Sequence, residues 1–421
     1  MVRPQLPWLN PTPLAYQMSI RPFGVVSVLA AVLLCTAPRA RAEGVDVFTL
    51  HATAAMLQDS NLFRLPLDAN LPALIGSDSA ADQITITTLG LKLNKDYSLQ
   101  RIELDLNLAN YHYQNFNFLN STANNYSAAW RWSFTPRLRG NLTTVRKETL
   151  NDFADAEGFK LRNQRVNVTS RLDGTYDLGG AWRVTAGVAE ASQNNPQNQI
   201  AEADTVSRYV DAGVSYVAAS GSQWGYTLRN AQGSYFPSPN QAGLSGSRYE
   251  QTDHEFNVRW ILSGKSSADL RLTALSRTQP QSGSRDYNGI SAAANYNLKI
   301  SGKTSLAVGL SRELSSYQTS TSNYAQTDRL SLAPTWAISA KTLLRLSYAV
   351  ARREYLGAPR VLAANVLHRT DTLSDSSLSF DWQPRPHLTF SAAVQESRRS
   401  ANVAGLDFQS TITSISAQIS F

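Results

Sequence analysis

Two tetrapeptides carry the ending of a phosphate-binding loop, Ser263-Gly264-Lys265-Ser266 and Ser301-Gly302-Lys303-Thr304. Such a loop cradles phosphate on glycine-rich backbone and needs a glycine five residues before its Gly-Lys; this chain has Arg259 and Asn297 there. Both are expected to be tight turns. His51, His112, His254, His368 and His387 show no H-x-x-x-H spacing, so no metal site is expected. A lipase or protease would need a Ser–His or Asp–His constellation, and His112 or His254 beside carboxylates could imitate one. With so many serines and acids present that match carries no information. The expectation is a protein that is not an enzyme and has no cofactor.

The charged residues that do follow a pattern are arginines. Arg101, Arg131, Arg139, Arg165, Arg171, Arg183, Arg229, Arg259, Arg271, Arg277, Arg329 and Arg345 share the polar parity of alternating segments. Glu103, Asp105, Asp173, Asp211, Glu255, Asp269, Glu313 and Asp381 share it too. A guanidinium fork holds a fixed geometry with a carboxylate on a neighbouring strand or with an anionic solute. One meaning is a wall stiffened by Arg–Glu and Arg–Asp ladders; the other is a track for acidic polymer. Both can hold together.

The elements that position these residues are strands. In Arg101-Ile102-Glu103-Leu104-Asp105-Leu106-Asn107-Leu108 the apolar residues face one way and the polar residues the other. Segments of ten to sixteen residues repeat this pattern along the chain, and no stretch after the N-terminus approaches 18 apolar residues. Short turns, from Asn94-Lys95-Asp96 to Pro384-Arg385-Pro386, alternate with longer polar loops, the longest near residues 58–82. The alternation gives eighteen strands, from Asp46–Leu57 to Phe408–Phe421, with both termini on the short-turn side. A soluble sandwich has no reason to segregate its connections by length. A transmembrane antiparallel up-and-down β-barrel requires it.

Tryptophan points the same way. Trp130, Trp132, Trp182, Trp224, Trp260, Trp336 and Trp382 all fall within a few residues of a short turn and at the apolar parity. Tyr176, Tyr216, Tyr226 and Tyr296 join them. Amphipathic rings in a band belong at headgroup depth, which predicts a girdle at the periplasmic interface. Pro334 interrupts one strand and cannot donate to the ladder, so a bulge or missing rung is expected there. Phe421 closes an alternating run (Ile415, Ala417, Ile419), the ending that barrel-assembly machinery recognises.

Residues 1–42 are expected to be an extension and secretory signal peptide ahead of a barrel over 43–421. Phe23 to Cys35 is a short apolar stretch preceded by Arg21 and followed by the small-x-small site Ala40-Arg41-Ala42. Met18 would be the more ordinary start. Leu34 before Cys35 is too large for a lipobox. The chain has 39 basic against 32 acidic residues, and losing Arg3, Arg21, Arg39 and Arg41 leaves 35 against 32. That balance does not argue for nucleic acid. Cleavage also removes the only cysteine, so stability must come from a large fold.

Gln58-Asp59-Ser60-Asn61-Leu62-Phe63-Arg64-Leu65-Pro66, in the longest loop, resembles the D-x-N-L-F-R-L segment of EpsL-type outer-membrane proteins, encoded with exopolysaccharide synthesis operons of β-proteobacteria. Asp82-Gln83-Ile84-Thr85 and the strand from Arg101 to Asn107 resemble that family's next blocks. Its pattern has Asp-Asp where this chain has Asp59-Ser60. The resemblance implies a channel exporting a secreted polysaccharide across the Gram-negative outer membrane, and the arginine track adds the expectation that the polymer is acidic. The channel's partners would be membrane lipid, the assembly machinery, the polymer and periplasmic or inner-membrane synthesis components. By residue chemistry, Asp59, Asn61 and Arg64 around Leu62 and Phe63 suit a loop folded inward and pinned to the lumen wall, as a plug contact or a sugar site. The alternative function is a porin for small anions or sugars, which needs the same wall. An adhesive surface protein would need longer outer loops.

Overall fold

The computed structural model describes residues 47–150, 153–155, 162, 164–195, 204–236, 248–280, 286–316, 322, 324–357 and 368–421. The signal-peptide expectation lies outside them.

Eighteen antiparallel strands follow one another in chain order. They are β1 (Phe48–Asp59), β2 (Asp82–Tyr97), β3 (Gln100–Tyr113), β4 (Ser121–Ser133), β5 (Leu138–Leu150) and β6 (Gln164–Gly179). Then come β7 (Trp182–Asn194), β8 (Asp204–Val217), β9 (Gln223–Phe236), β10 (Arg248–Ser263), β11 (Ser266–Thr278) and β12 (Tyr287–Lys299). The last six are β13 (Thr304–Ser316), β14 (Tyr324–Ser339), β15 (Thr342–Leu356), β16 (Thr370–Arg385), β17 (Leu388–Ala401) and β18 (Phe408–Ser420). Each pairs with its sequence neighbours, and β1 also pairs with β18, His51 opposite Ser420 through Asp59 opposite Ile412. Leu50 and Phe421 exchange two backbone hydrogen bonds at the rim (3.1 and 2.7 Å). The sheet is closed, so no strand edge is left to satisfy, the condition for a strand structure inside lipid.

Period-2 alternation puts the apolar residues outside. Trp182, Trp224, Trp260, Trp336 and Trp382 are exposed on that face near the short turns, with Tyr176 and Tyr226 at the same level. Trp132 differs: its ring lies over Gly140 and Gly174 of the next two strands, where an added Cβ on Gly140 would collide with it at 2.4 Å. Among the described residues the largest buried apolar cluster lies where loops fold together, around Phe63.

The two Gly-Lys tetrapeptides are the β10–β11 and β12–β13 turns. Their backbone N–H groups are already occupied: Ser301 Oγ accepts from Lys303 N and Thr304 N at 3.1 and 3.0 Å, and Ser263 Oγ from Lys265 N at 3.1 Å. At Pro334 the ladder to β13 continues, but pairing to β15 skips from Leu332–Tyr348 to Thr335–Arg345 with register unchanged. The proline costs a rung without a bulge. Three boundaries differ from the sequence expectation. β1 runs Phe48–Asp59 instead of Asp46–Leu57; the first turn falls at Ser98-Leu99, with Ser98 at φ 55°; and β16 extends to Arg385. Asn94, Lys95 and Asp96 stay in the ladder opposite Glu103, Ile102 and Arg101. Beyond the membrane a strand may be polar on both faces, so polarity alone marks its end too early.

Candidate functional site

The lumen is occupied at its long-loop end by three connections that pack together, β1–β2, β3–β4 and β5–β6. The β1–β2 loop begins at Asp59, the buried last residue of β1, and contains a one-turn helix α1 (Leu71–Ile75) with Asn70 as its N-cap and Gly76 closing it at φ 71°. Asp59 carries the centre of the arrangement. Its carboxylate accepts from Arg64 Nη1 (2.9 Å), from the Asn61 backbone N–H (2.9 Å) and from Ser410 Oγ (2.8 Å) of β18. Asn61 donates from Nδ2 to Leu65 O (2.7 Å) and Gln409 O (3.1 Å), and its Oδ1 accepts from Leu65 N–H (3.0 Å). Arg64 adopts φ 54° to turn its guanidinium back, where it also donates to Ser410 Oγ at 3.1 Å. This buckle ties the loop across β1 and β18.

Phe63 projects from the buckle and is fully buried. It meets Phe116 edge-on at 4.7 Å between ring centroids, and Phe153 at 4.9 Å. Phe116 belongs to the β3–β4 loop, held by Asp82, which accepts from the Asn115 and Phe116 N–H groups (2.9 and 3.1 Å). Phe153 belongs to the β5–β6 loop, whose Ala154 carbonyl accepts a 2.6 Å hydrogen bond from Arg399 of β17. Arg399 is buried, with its guanidinium 5.0 Å from the Phe408 ring centroid and Nε donating to Leu406 O at 2.6 Å. Behind it Asp371, fully buried, accepts from Tyr355 Oη (3.1 Å) and Arg369 (2.6 Å). A loop from between β5 and β6 thus reaches the lumen face of β17, six strands from β5 around the ring. The lumen mouth is partly closed by apolar packing and fastened at the β17–β18 wall.

Asp59, Asn61, Phe63 and Arg64 are therefore brought together, each engaged with the others or with the barrel. Arg399, Phe116 and Phe153 were not singled out from sequence. Arg399 follows Gln395 and Ser397 at the lumen parity of β17, so alternation alone places it on the wall; its partner 245 positions away is not legible there.

Register places all twelve arginines on the lumen face, and they fall into two groups. The first is tied to acids or, for Arg165, to an amide. Arg171 forks onto Asp211 at 2.6 and 2.9 Å and touches Asp173 at 3.3 Å; Glu103 bridges Arg101 and Arg131 at 2.8 Å each; Asp177 bridges Arg139 (2.6 Å) and Arg183 (2.9 Å). Arg345 pairs with Asp381, Arg329 reaches Asp375 at 3.6 Å, and Arg165 donates to Asn195 Oδ1 at 3.3 Å. The second group lies on β9–β11. Arg229 stands 3.9 Å from Asp253 and over the Tyr209 ring at 5.0 Å; Arg259 stands 3.9 Å from Asp269. Arg271, between Asn257 and Ala293, makes no ion pair among the described residues. Arg277 packs 4.1 Å from the Tyr249 ring centroid and donates to Tyr235 Oη at 2.6 Å. In an eighteen-strand ring β10 lies half-way round from β1, so these looser guanidinia line the wall opposite β1, with Arg277 at the long-loop end, Arg229 and Arg271 at mid-strand and Arg259 toward the short turn.

The histidines have uncharged partners: His51 with Asn107 Oδ1 (2.9 Å), His112 with Asn120 (3.2 Å) and His254 with Tyr226 Oη (2.7 Å). Among the described residues no group of three His, Cys, Asp or Glu converges as a metal site would require.

No protein-family model matches the chain, and no curated protein matches it. Solved structures do. OccK1 (OpdK) of Pseudomonas aeruginosa matches 90% of this chain and 100% of its own at TM-score 0.50 and 10% identity. OccK2 (OpdF) of the same organism matches at 0.50 and 11%, over 90% of this chain and 99% of its own. OccK3 (OpdO), also from that bacterium, matches at 0.50 and 11%, over 90% and 97%. At such identities the likeness is one of fold. A closed sheet with an apolar exterior and an aromatic girdle is stable only in a bilayer. The chain is an eighteen-stranded β-barrel of the Gram-negative outer membrane.

Proposed function

We propose that the protein is a porin-like channel for small acidic solutes, such as carboxylated sugars. The observation that carries this reading is an inward-folded plug at one end of the lumen together with, below it on the opposite wall, arginines without a close carboxylate. A neutral passage would be served by the tight ladders seen elsewhere on the wall. Arg229, Arg259 and Arg271 keep N–H donors for a passing carboxylate, and a narrow opening with low-dielectric walls focuses their field. A conduit for a polymer needs an open lumen, and the plug opposes that.

The test is a reversal potential across a planar bilayer under a salt gradient. The wild-type channel should favour anions, and the Arg229→Gln/Arg259→Gln/Arg271→Gln variant should lose most of that preference. Anion preference unchanged in the triple variant would overturn the reading. The preference should also fade as salt rises, since charges are screened over about 10 Å at 0.1 M.

A second reading, export of an acidic exopolysaccharide, is favoured by one observation. The segment Asp59 to Pro66, which resembles the EpsL type, is also the segment that builds the buckle. A strain lacking the gene decides between them. Loss of extracellular polysaccharide with normal growth on small solutes supports export; full secretion with slowed uptake of a small acid supports the porin.

A further inference from the structure

Outside the lumen the wall changes character at a constant height. Eight residues along the strand from the girdle, outward positions turn from apolar to charged: Tyr216 to Arg208 on β8, Trp182 to Glu190 on β7, Trp336 to Asp328 on β14, Leu344 to Arg352 on β15. At about 3.4 Å per residue and a tilt near 40°, eight residues climb roughly 20 Å, close to the height of a barrel's apolar band. These charges therefore stand at the headgroups of the outer leaflet.

On β13–β15 this ring meets a hollow. Asp328 lies opposite Arg312 on one side and Arg352 on the other. Arg312 forks onto it at 2.6 and 2.8 Å, and Arg352 leans to Glu354 at 2.8 Å. Both arginines remain well exposed, 49% and 65%. One rung nearer the girdle run Ala294, Leu310, Leu330 and Val350, with Ala292 beside Arg312. The two alanines hollow the wall into a groove of about 490 Å³ lined by this apolar row and rimmed by the arginines. The two arginines balance the two acids, Asp328 and Glu354, so what the cluster offers an anion is unused N–H donors rather than net charge.

We propose that this groove seats one phosphate-bearing acylated lipid of the outer leaflet. An acyl chain lies over Ala292 and Ala294, and the phosphate rests on Arg312 and Arg352. The acids fix the direction of each fork without consuming it, because a guanidinium has five N–H donors and the Arg312 fork uses two of them on Asp328. Depth, donors and shape agree: the cations are at headgroup height, the anion is on the lipid, and the hollow continues from them toward the bilayer.

The test is native mass spectrometry of the purified, folded barrel titrated with a phosphorylated, multiply acylated disaccharide lipid, and with the same lipid after phosphate removal. The wild-type protein should retain one phosphorylated molecule and bind the dephosphorylated form about tenfold more weakly, the loss expected for a charge-assisted hydrogen bond or two. Arg312→Gln/Arg352→Gln should lose that discrimination, Ala292→Leu/Ala294→Leu should weaken both lipids, and Arg271→Gln in the lumen should change neither. Heat-modifiable migration confirms that each variant is folded. Equal binding of both lipids, wild-type behaviour in the double arginine variant, or complete displacement by inorganic phosphate would each overturn the proposal.

Discussion

Arg399 and Ala154 are joined by a 2.6 Å hydrogen bond although 245 positions separate them, and that bond holds a loop from one side of the barrel against the wall of the other. Because Arg399 also supports Leu406 and lies against Phe408, it is a fixed post rather than a mobile surface arginine. Replacing it by glutamine should free the β5–β6 loop. Single-channel recordings should then show a larger, noisier conductance with ion selectivity little changed. A conductance identical to the wild type would mean that the Phe63–Phe153 packing holds the loop unaided.

Asp59 is the acceptor on which the buckle converges. Asp59→Ala removes the buried carboxylate on which Arg64, the Asn61 N–H and Ser410 Oγ converge. Breaking a buried pair from one side costs about 3–5 kcal/mol. Chemical denaturation of the folded barrel should show a loss of that order. Removing the exposed Arg208–Glu190 pair should cost about 0–1 kcal/mol.

The two groups of lumen arginines should separate in experiment. Arg171→Gln strands Asp211, whose side chain is 4% exposed, and should lower stability more than it alters selectivity. Arg271→Gln touches no ion pair among the described residues, so stability should stay within about 0.5 kcal/mol while the reversal potential shifts. The reverse pattern would show that the ladder, rather than the looser wall, meets the permeating ion.

Phe421 pairs its backbone with Leu50 and shows 43% of its surface. Phe421→Ala should reduce heat-modifiable barrel in the membrane while leaving export to the periplasm intact. Quantitative immunoblots of membrane and periplasmic fractions measure both.

Orientation is open to a direct check. Leu67, 90% exposed in the β1–β2 loop, should react as cysteine with an impermeant thiol reagent on intact cells. Ser339, at the β14–β15 turn, should not. Labelling at 339 alone would invert the topology.

The barrel is legible in the sequence because its determinants are local. Trp260 shares parity with Phe256 and Val258, and that parity survives because a one-residue slip would turn every apolar side chain into the lumen. The plug is legible only as composition. Asp59, Asn61 and Arg64 announce a polar knot, but Ser410 and Gln409, which complete it, sit 346 to 351 positions away and look like ordinary strand residues. Arginine alternation likewise places twelve side chains on one face without telling which have a carboxylate within reach. That depends on cross-strand register, since Arg171 finds Asp211 two strands away while Arg271 is set between Asn257 and Ala293.

The buckle has a consequence for the order of events in the protein's own making. Asp59 ends the first strand and Ser410 belongs to the last, so their contact cannot exist until the chain has been threaded to its end and the circle drawn shut. The Phe63, Phe116 and Phe153 packing needs no residue of β18, so the plug can gather early while its fastening waits for closure, and the fastening itself certifies that the circle was closed.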